Sequence, residues 1–185
     1  MSHAGRTEPP SAWIERFVAL LPEGSNVLDL ACGAGRHTRL LAAAGHRVTA
    51  VDRDPAGTED LIGNERIRLV TADLEDSSPW PVGGERFDGV VVTNYLWRPI
   101  LPAVLAAVDQ GGLLLYETFA EGNERFGKPK NPDFLLRPGE LLELVRQDFE
   151  AIAFEQGVVD RPKPAAVQRI CARRAVGGDL PPLPG

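Results

Sequence analysis

The sequence predicts an α/β fold: a three-layer sandwich whose helices cover both faces of a seven-stranded, mostly parallel sheet that ends in an antiparallel C-terminal hairpin. Three observations carry this reading. From Ser11 onward, short apolar runs alternate with segments of helical periodicity. "FDGVVVTN", residues 87–94, holds a continuous valine run, as suits a strand buried on both faces of a parallel sheet. The last third carries two alternating runs, Phe149–Gln156 and Ala166–Arg174, joined by "GVVDRPKP" with no helix between them. The chain has 185 residues, 43% hydrophobic and 25% charged, which fits one globular domain able to bury its own core. The expected layout is an N-terminal arm over 1–10, one domain over 11–175 and a tail over 176–185.

In chain order, Ser11 is the expected N-cap of a helix running to about Leu21, with Trp13, Ile14, Phe17, Val18 and Leu21 at helical spacing. Val27–Leu30 is a strand flowing into Gly33–Gly35, and Arg36–Ala44 is a helix ended by Gly45. Residues 46–52 alternate as a strand closing on Asp52. A short helix is expected over Pro55–Ile62, then the strand Ile67–Thr71 and a polar loop to residue 86. The strand 87–94 is followed by a helix from Pro99 to Val108. Gly111–Gly112 opens the strand Leu113–Thr118, some twenty aperiodic residues follow, and 139–147 is helical again. A loop that long inside a compact domain is usually functional or mobile.

No apolar run approaches the roughly 20 residues that span a bilayer, and the first residues hold no apolar signal-peptide core, so a cytoplasmic protein with no membrane association is expected. Cys32 and Cys171 are too few for a disulfide framework, and His3, His37 and His46 share no ligand spacing, so no metal is expected. A net charge of −6 argues against coating a phosphate backbone.

The chemistry concentrates in "VLDLACGAGRHT", residues 27–38. In an open α/β sheet, ligands bind outside the carboxyl ends of the strands where the strand order reverses, and the first strand–turn–helix usually lies there. Gly33 and Gly35 let the chain bend sharply and a ligand lie against bare backbone. A dinucleotide turn would read G-x-G-x-x-G, but position 38 is Thr. Asp29, four residues before Gly33, would repel a pyrophosphate and suits an ammonium or sulfonium group. Asp52, at the tip of the second strand, has the oxygens to accept from both ribose hydroxyls, and Asp73, beyond the third, to accept from an exocyclic adenine amine.

Together with "VTAVD", "TADLED" and "FDGVVVTN", in this order and spacing, the turn resembles that of the class I S-adenosylmethionine-dependent methyltransferases, a Rossmann-like family, in its compact small-molecule or tellurite-resistance-like form. The closing hairpin is similar to theirs, in which an antiparallel seventh strand inserts beside the fifth. The resemblance covers about Ser11 to Arg174. It implies S-adenosylmethionine as cofactor, with S-adenosylhomocysteine as product. It implies that Asp29 and the Gly33–Gly35 turn hold the methionine part, Asp52 the ribose, and Asp73 with the Ala72 and Leu74 backbone the adenine, that Asn94 lies near the sulfonium, and that Ala31 and Arg53 belong to the same cofactor site.

Transfer from a sulfonium is an in-line displacement that rests on alignment and exclusion of water, and it requires no protein nucleophile. Candidates for the acceptor pocket are Asn94, Tyr95, Trp97, Glu117 and Phe119, with Glu117 the best-placed carboxylate base and Tyr95 a proton acceptor only if its pKa were lowered. For Tyr95 and Trp97 a core role stands beside this one, and for Glu117 a pairing with Arg98 or Arg125. Arg36 is equally a partner for the methionine carboxylate and a surface residue. Cys32 reads as a small buried hydrophobe, His37 needs no role, and Trp13 and Phe17 read as core before acceptor wall. Arg125, Lys128, Lys130 and Arg137 make a positive cluster in the long loop, read as a lid, a guide for an anionic acceptor or a solvated face. The expected acceptor is a small molecule ahead of a nucleic acid or protein, and the protein a monomer or homodimer. The competing readings are an NAD(P)-dependent oxidoreductase and a non-catalytic cofactor-binding partner protein.

Overall fold

The computed structural model describes residues 8–176. Most of the expected arm and tail therefore lies outside the described residues. Seven strands form one sheet: β1 (Asn26–Leu30), β2 (Arg47–Asp52), β3 (Ile67–Thr71), β4 (Phe87–Thr93), β5 (Val108–Phe119), β6 (Phe149–Val159) and β7 (Ala165–Arg174). Their order is β3-β2-β1-β4-β5-β7-β6. The first five run parallel, and β7 lies antiparallel between β5 and β6. The chain winds outward from β1 to β3 and then crosses back to β4, so the strand order reverses between β1 and β4.

Alternate residues of the central strands enter two cores. Leu28, Leu30, Val90, Val92, Leu114 and Tyr116 face α3 (Leu101–Ala107) and α4 (Glu140–Val145). Val27, Val91, Leu113 and Leu115 face α1 (Ala12–Val18), with Leu41 of α2 (Arg36–Ala43) in the same cluster. The valine run of β4 is continuous because each face of that strand is covered.

Several elements differ from expectation for local reasons. Helix α1 stops at Val18 rather than Leu21, because Pro22 disfavours helical backbone at Leu21 and the chain tightens into Leu20 N–H to Phe17 and Leu21 N–H to Val18 bonds of 3.0 Å. Between β2 and β3, where a helix was expected over 55–62, there is only a 3₁₀ turn, Glu59–Leu61, flanked by Gly57 and Gly63 at positive φ. The β3–β4 connection is the loop that the sequence led us to expect, with no α-helix over it. Val82 and the half-buried Trp80 pack against the sheet in its place. The helix expected from Pro99 opens as a 3₁₀ turn at Arg98–Ile100 and yields to β5 at Val108. β5 thus starts before Gly111–Gly112, and those glycines form an irregularity inside it: a Cβ on Gly112 would lie 2.9–3.0 Å from three carbonyl oxygens.

The long loop is fastened. Buried Asn123 donates to Pro129 O and accepts from Ala166 N–H, both at 3.2 Å. Arg98 donates to Asp133 O at 2.7 Å, to Leu135 O at 2.8 Å and to both carboxylate oxygens of Glu140.

Candidate functional site

A cavity of about 740 Å³ opens at the carboxyl ends of β1 to β4, where the strand order reverses. Four separate segments line it: Ala31–Ala34 and Arg36 after β1, Asp52 at the tip of β2 with Arg53 and Gly57 beyond it, Ala72–Glu75 after β3, and Thr93–Tyr95 at the end of β4. Glu8 closes the rim. Of the residues expected to hold a cofactor, Ala31, Gly33, Asp52, Arg53, Ala72, Asp73, Leu74 and Asn94 come together here.

Asp29 and Gly35 do not reach the cavity wall. Asp29 is buried on β1, and its Oδ2 accepts a 2.6 Å hydrogen bond from the Thr38 hydroxyl on α2. The Thr that breaks the dinucleotide pattern is therefore the residue that satisfies the buried acid. Burial pushes the Asp29 carboxyl up to about 7, against the Thr38 hydrogen bonds that favour its charged form. Gly35 sits behind the turn at φ +77°, where a Cβ would meet Leu61 Cδ1 at 2.8 Å. Gly33 is the exposed member of the pair. Its φ is +54°, and a Cβ there would meet nothing within 4 Å, so bare backbone faces the cavity.

Asp52 ties the turn to β2: its Oδ2 accepts from Gly33 N–H at 2.8 Å and its Oδ1 from Asp54 N–H at 3.0 Å. Each oxygen keeps a further acceptor site. Asp73 likewise accepts from Glu75 N–H at 2.9 Å. Two non-glycine residues on adjacent strand ends, Ala31 (φ 53°) and Asn94 (φ 54°), hold left-handed backbone at the wall. Asn tolerates that region through its short polar side chain, whereas Ala does so at a cost of about 1–2 kcal/mol. Strain of this kind clusters at functional sites.

The acceptor candidates divide. Asn94 and Tyr95 line the cavity, while Trp97, Glu117 and Phe119 do not. Glu117 is engaged elsewhere: it accepts from the Ser11 hydroxyl at 2.9 Å and pairs with Arg169 at 3.3 Å, rather than with Arg98 or Arg125. Tyr95 does not fit a base. Its hydroxyl is buried without a hydrogen-bond partner, and burial, with the charge of Glu75, raises its pKa. No residue of the 119–137 loop lines the cavity. Arg137 of its positive cluster pairs with Glu140.

His37 has a task that its position in the sequence concealed. Its Nε2 accepts the Ser11 amide at 3.0 Å, so that nitrogen carries no proton, and Nδ1 faces the Thr93 hydroxyl at 3.3 Å. Burial lowers its pKa to about 3. The ring thereby ties α1 to the end of β4. Trp13 and Phe17 are core residues, 2% and 0% exposed. Cys32 is buried, with its pKa pushed up to about 12 by burial and the nearby carboxylates.

Sequence reasoning missed Glu8, Cys32, Ala34, Gly57, Glu75 and Thr93 as wall residues. Four of them adjoin residues that were expected, so chain proximity was an available signal. Gly57 had none, since its close approach to Ala34, where a Cβ would come to 2.9 Å of Ala34 Cβ, exists only in the folded chain. Glu8 had none, because it arrives only when the chain ahead of α1 folds back.

Residues 27–110 match the family model described as "Methyltransferase domain". Among curated proteins, the chain is 32% identical over 116 residues to the trans-aconitate 2-methyltransferase of Variovorax paradoxus, an alignment covering 59% of this chain and 43% of that protein. The chain spans about half the length, or less, of the curated relatives it matches. Among solved structures it is similar to TehB from Haemophilus influenzae, with a TM-score of 0.69 at 20% identity over 88% of this chain and 61% of that one. It is also similar to the 1,6-didemethyltoxoflavin-N1-methyltransferase of Burkholderia thailandensis, solved with S-adenosylhomocysteine bound. There the TM-score is 0.65 at 24% identity over 88% of this chain and 76% of that one. At these identities the likeness shows a shared fold.

Proposed function

We propose, from a chain that carries the class I S-adenosylmethionine-dependent methyltransferase fold and a methyltransferase domain over residues 27–110, that the protein binds S-adenosylmethionine in the 740 Å³ cavity and transfers its methyl group to a small-molecule acceptor. One observation carries this reading above the others: four segments far apart in sequence bring bare backbone at Gly33, a carboxylate at Asp52, the Ala72–Leu74 stretch and the left-handed Asn94 to one cavity at the reversal of strand order.

The wall fits a nucleoside with a cationic tail. Gly33 offers uncovered backbone to the tail. Asp52 has spare acceptor sites for the two ribose hydroxyls while it holds the Gly33 amide. Asp73 and the Ala72 and Leu74 backbone serve the adenine, with Arg53 beside Asp52 at the rim, and Asn94 lies toward the sulfonium. Asp29 acts from behind, through Thr38, by holding β1 and α2 at the angle that shapes the turn. When bound, S-adenosylmethionine supplies an electrophilic methyl group on a sulfonium. The chain's own contribution is alignment and exclusion of water. None of Cys32, Tyr95 or His37 is a nucleophile or base at neutral pH, since the first two are held protonated and the third is engaged through both nitrogens.

A small acceptor agrees with the names of two similar proteins, one named for trans-aconitate and one for 1,6-didemethyltoxoflavin. Calorimetric titration with S-adenosylmethionine and S-adenosylhomocysteine, with NADH as control, tests the reading. Micromolar binding of the sulfur nucleosides and none of NADH is the expected result, and the reverse pattern would favour an oxidoreductase. Binding without turnover on any small acceptor would favour a non-catalytic partner protein.

A further inference from the structure

Ser11 is held from two sides, by its amide on His37 and its hydroxyl on Glu117. The residues ahead of it, Glu8, Pro9 and Pro10, are thereby delivered to the cavity rim, where Glu8 meets Arg36. Arg36 is the first residue of α2, just past the Gly33–Gly35 turn, and its side chain is only 16% exposed. Its Nη1 donates to Glu8 Oε2 and to Pro9 O, each at 3.3 Å.

These contacts are long. Hydrogen bonds between a guanidinium and a carboxylate usually measure about 2.7–2.9 Å, and elsewhere in this protein Arg98 holds Glu140 at 2.7 and 2.9 Å. Glu8 is also 62% exposed, so water competes for it. A mostly buried cation at the amino-acid end of the proposed cofactor site is thus held loosely by a carboxylate that solvent can reclaim. The other cation on the wall, Arg53, stands beside Asp52 at the nucleoside end and is exposed.

We infer that Arg36 is the seat for the carboxylate of the ligand's amino-acid tail, and that Glu8 fills that seat until the ligand arrives. The inference rests on the S-adenosylmethionine reading above. Exchanging one carboxylate for another keeps the guanidinium paired throughout, so Arg36 is never left as an uncompensated, partly buried charge. Releasing Glu8 costs little, since it gives up only a solvent-exposed pair. Arg36 then selects for a ligand with a carboxylate, and Glu8 sets how tightly such a ligand binds.

The test titrates the wild type, Glu8→Gln and Arg36→Gln with two ligands. One is S-adenosylhomocysteine. The other is its decarboxylated analogue, which keeps the adenosine, the thioether and the amine. Glu8→Gln should tighten S-adenosylhomocysteine about two- to fivefold, the scale of one exposed ion pair, and leave the analogue unchanged. Arg36→Gln should weaken S-adenosylhomocysteine by roughly ten- to a hundredfold, the scale of a lost charge-assisted contact, and barely move the analogue. Equal shifts for both ligands in either variant would overturn the inference, as would no shift in Glu8→Gln. If S-adenosylhomocysteine binds none of the three proteins, the cofactor reading itself fails, an outcome distinct from binding that ignores Arg36. Glu8 is exposed and its variant should unfold at the wild-type temperature, so the test does not depend on Arg36→Gln folding.

Discussion

The carboxylate of Asp52 accepts the amide of Gly33 at 2.8 Å, so the tip of β2 holds the turn that follows β1. One side chain thus shapes the backbone of the cavity and carries acceptor sites for whatever lies in it. Replacing Asp52 with Ala removes both functions and should weaken S-adenosylhomocysteine binding by about 1–3 kcal/mol, the scale of a lost charged hydrogen bond. Asp52→Asn keeps one oxygen for the turn and should fall between. An unchanged dissociation constant in the Ala variant would remove Asp52 from the ribose assignment.

The two glycines of the turn should separate stability from binding. Gly35→Ala drives a Cβ to 2.8 Å from Leu61 Cδ1 at φ +77°, and it should lower the melting temperature. Gly33→Ala bears only the left-handed backbone strain, about 1–2 kcal/mol, because its Cβ would meet nothing within 4 Å. That Cβ would instead stand on the surface a ligand must approach. Its dissociation constant for S-adenosylhomocysteine should therefore rise beyond what Gly35→Ala shows at equal stability. Equal losses of affinity in the two variants would contradict this division.

Arg98 gathers two carbonyls of the 131–136 segment and the Glu140 carboxylate with one planar fork. Glu140 is held at a pKa of about 2 by the Arg98 and Arg137 hydrogen bonds, which outweigh its burial. A lysine supplies the charge as a single point and cannot bridge these acceptors together. Arg98→Lys should therefore cost about 1–3 kcal/mol in urea unfolding and speed proteolytic cutting near residues 126–134. Cutting at the wild-type rate would mean that the loop is held by Asn123 alone.

The strands were the legible part of the fold. Ile67–Thr71 carries its expected boundaries, the hairpin lies where the alternation put it, and β4 lies where the continuous valine run put it. Strand burial leaves a period in the sequence, whereas helix ends here are set by Pro22, Gly57 and Gly63 and by where the chain must meet β5. In the site, Asp52, Asp73 and Asn94 were legible because a strand end fixes where the next residue goes. Asp29 stands off the cavity wall because it lies inside β1, on the face opposite Leu28 and Leu30, where the Thr38 hydroxyl donates to its carboxylate. Glu8 and Glu117 depend on contacts across 28 and 106 residues, which no local pattern encodes.

Two buried groups beside the cavity titrate in opposite senses, and this gives a test of the burial of both. Asp29 has a folded pKa of about 7 against 3.8 when exposed, so between those values the folded protein keeps a proton that the unfolded chain has lost. Its contribution to stability falls as pH rises through that window. His37 has a folded pKa of about 3 against 6.5, so the folded protein has shed a proton that the unfolded chain still holds. Its contribution is complete above the unfolded value and is lost as pH falls toward 3. Between about pH 4 and 6.5 each slope approaches 1.4 kcal/mol per pH unit, and in the wild type the two oppose each other. Asp29→Asn should expose the His37 limb, with stability rising across this range relative to wild type. His37→Gln should expose the Asp29 limb, with stability falling. The other carboxylates are common to all three proteins and cancel in the differences. Urea midpoints at pH 4.5 and 6.5 would decide it: Asp29→Asn running parallel to wild type would mean that the Asp29 carboxyl is hydrated and ionised in the folded protein, and so is within reach of a cationic ligand after all.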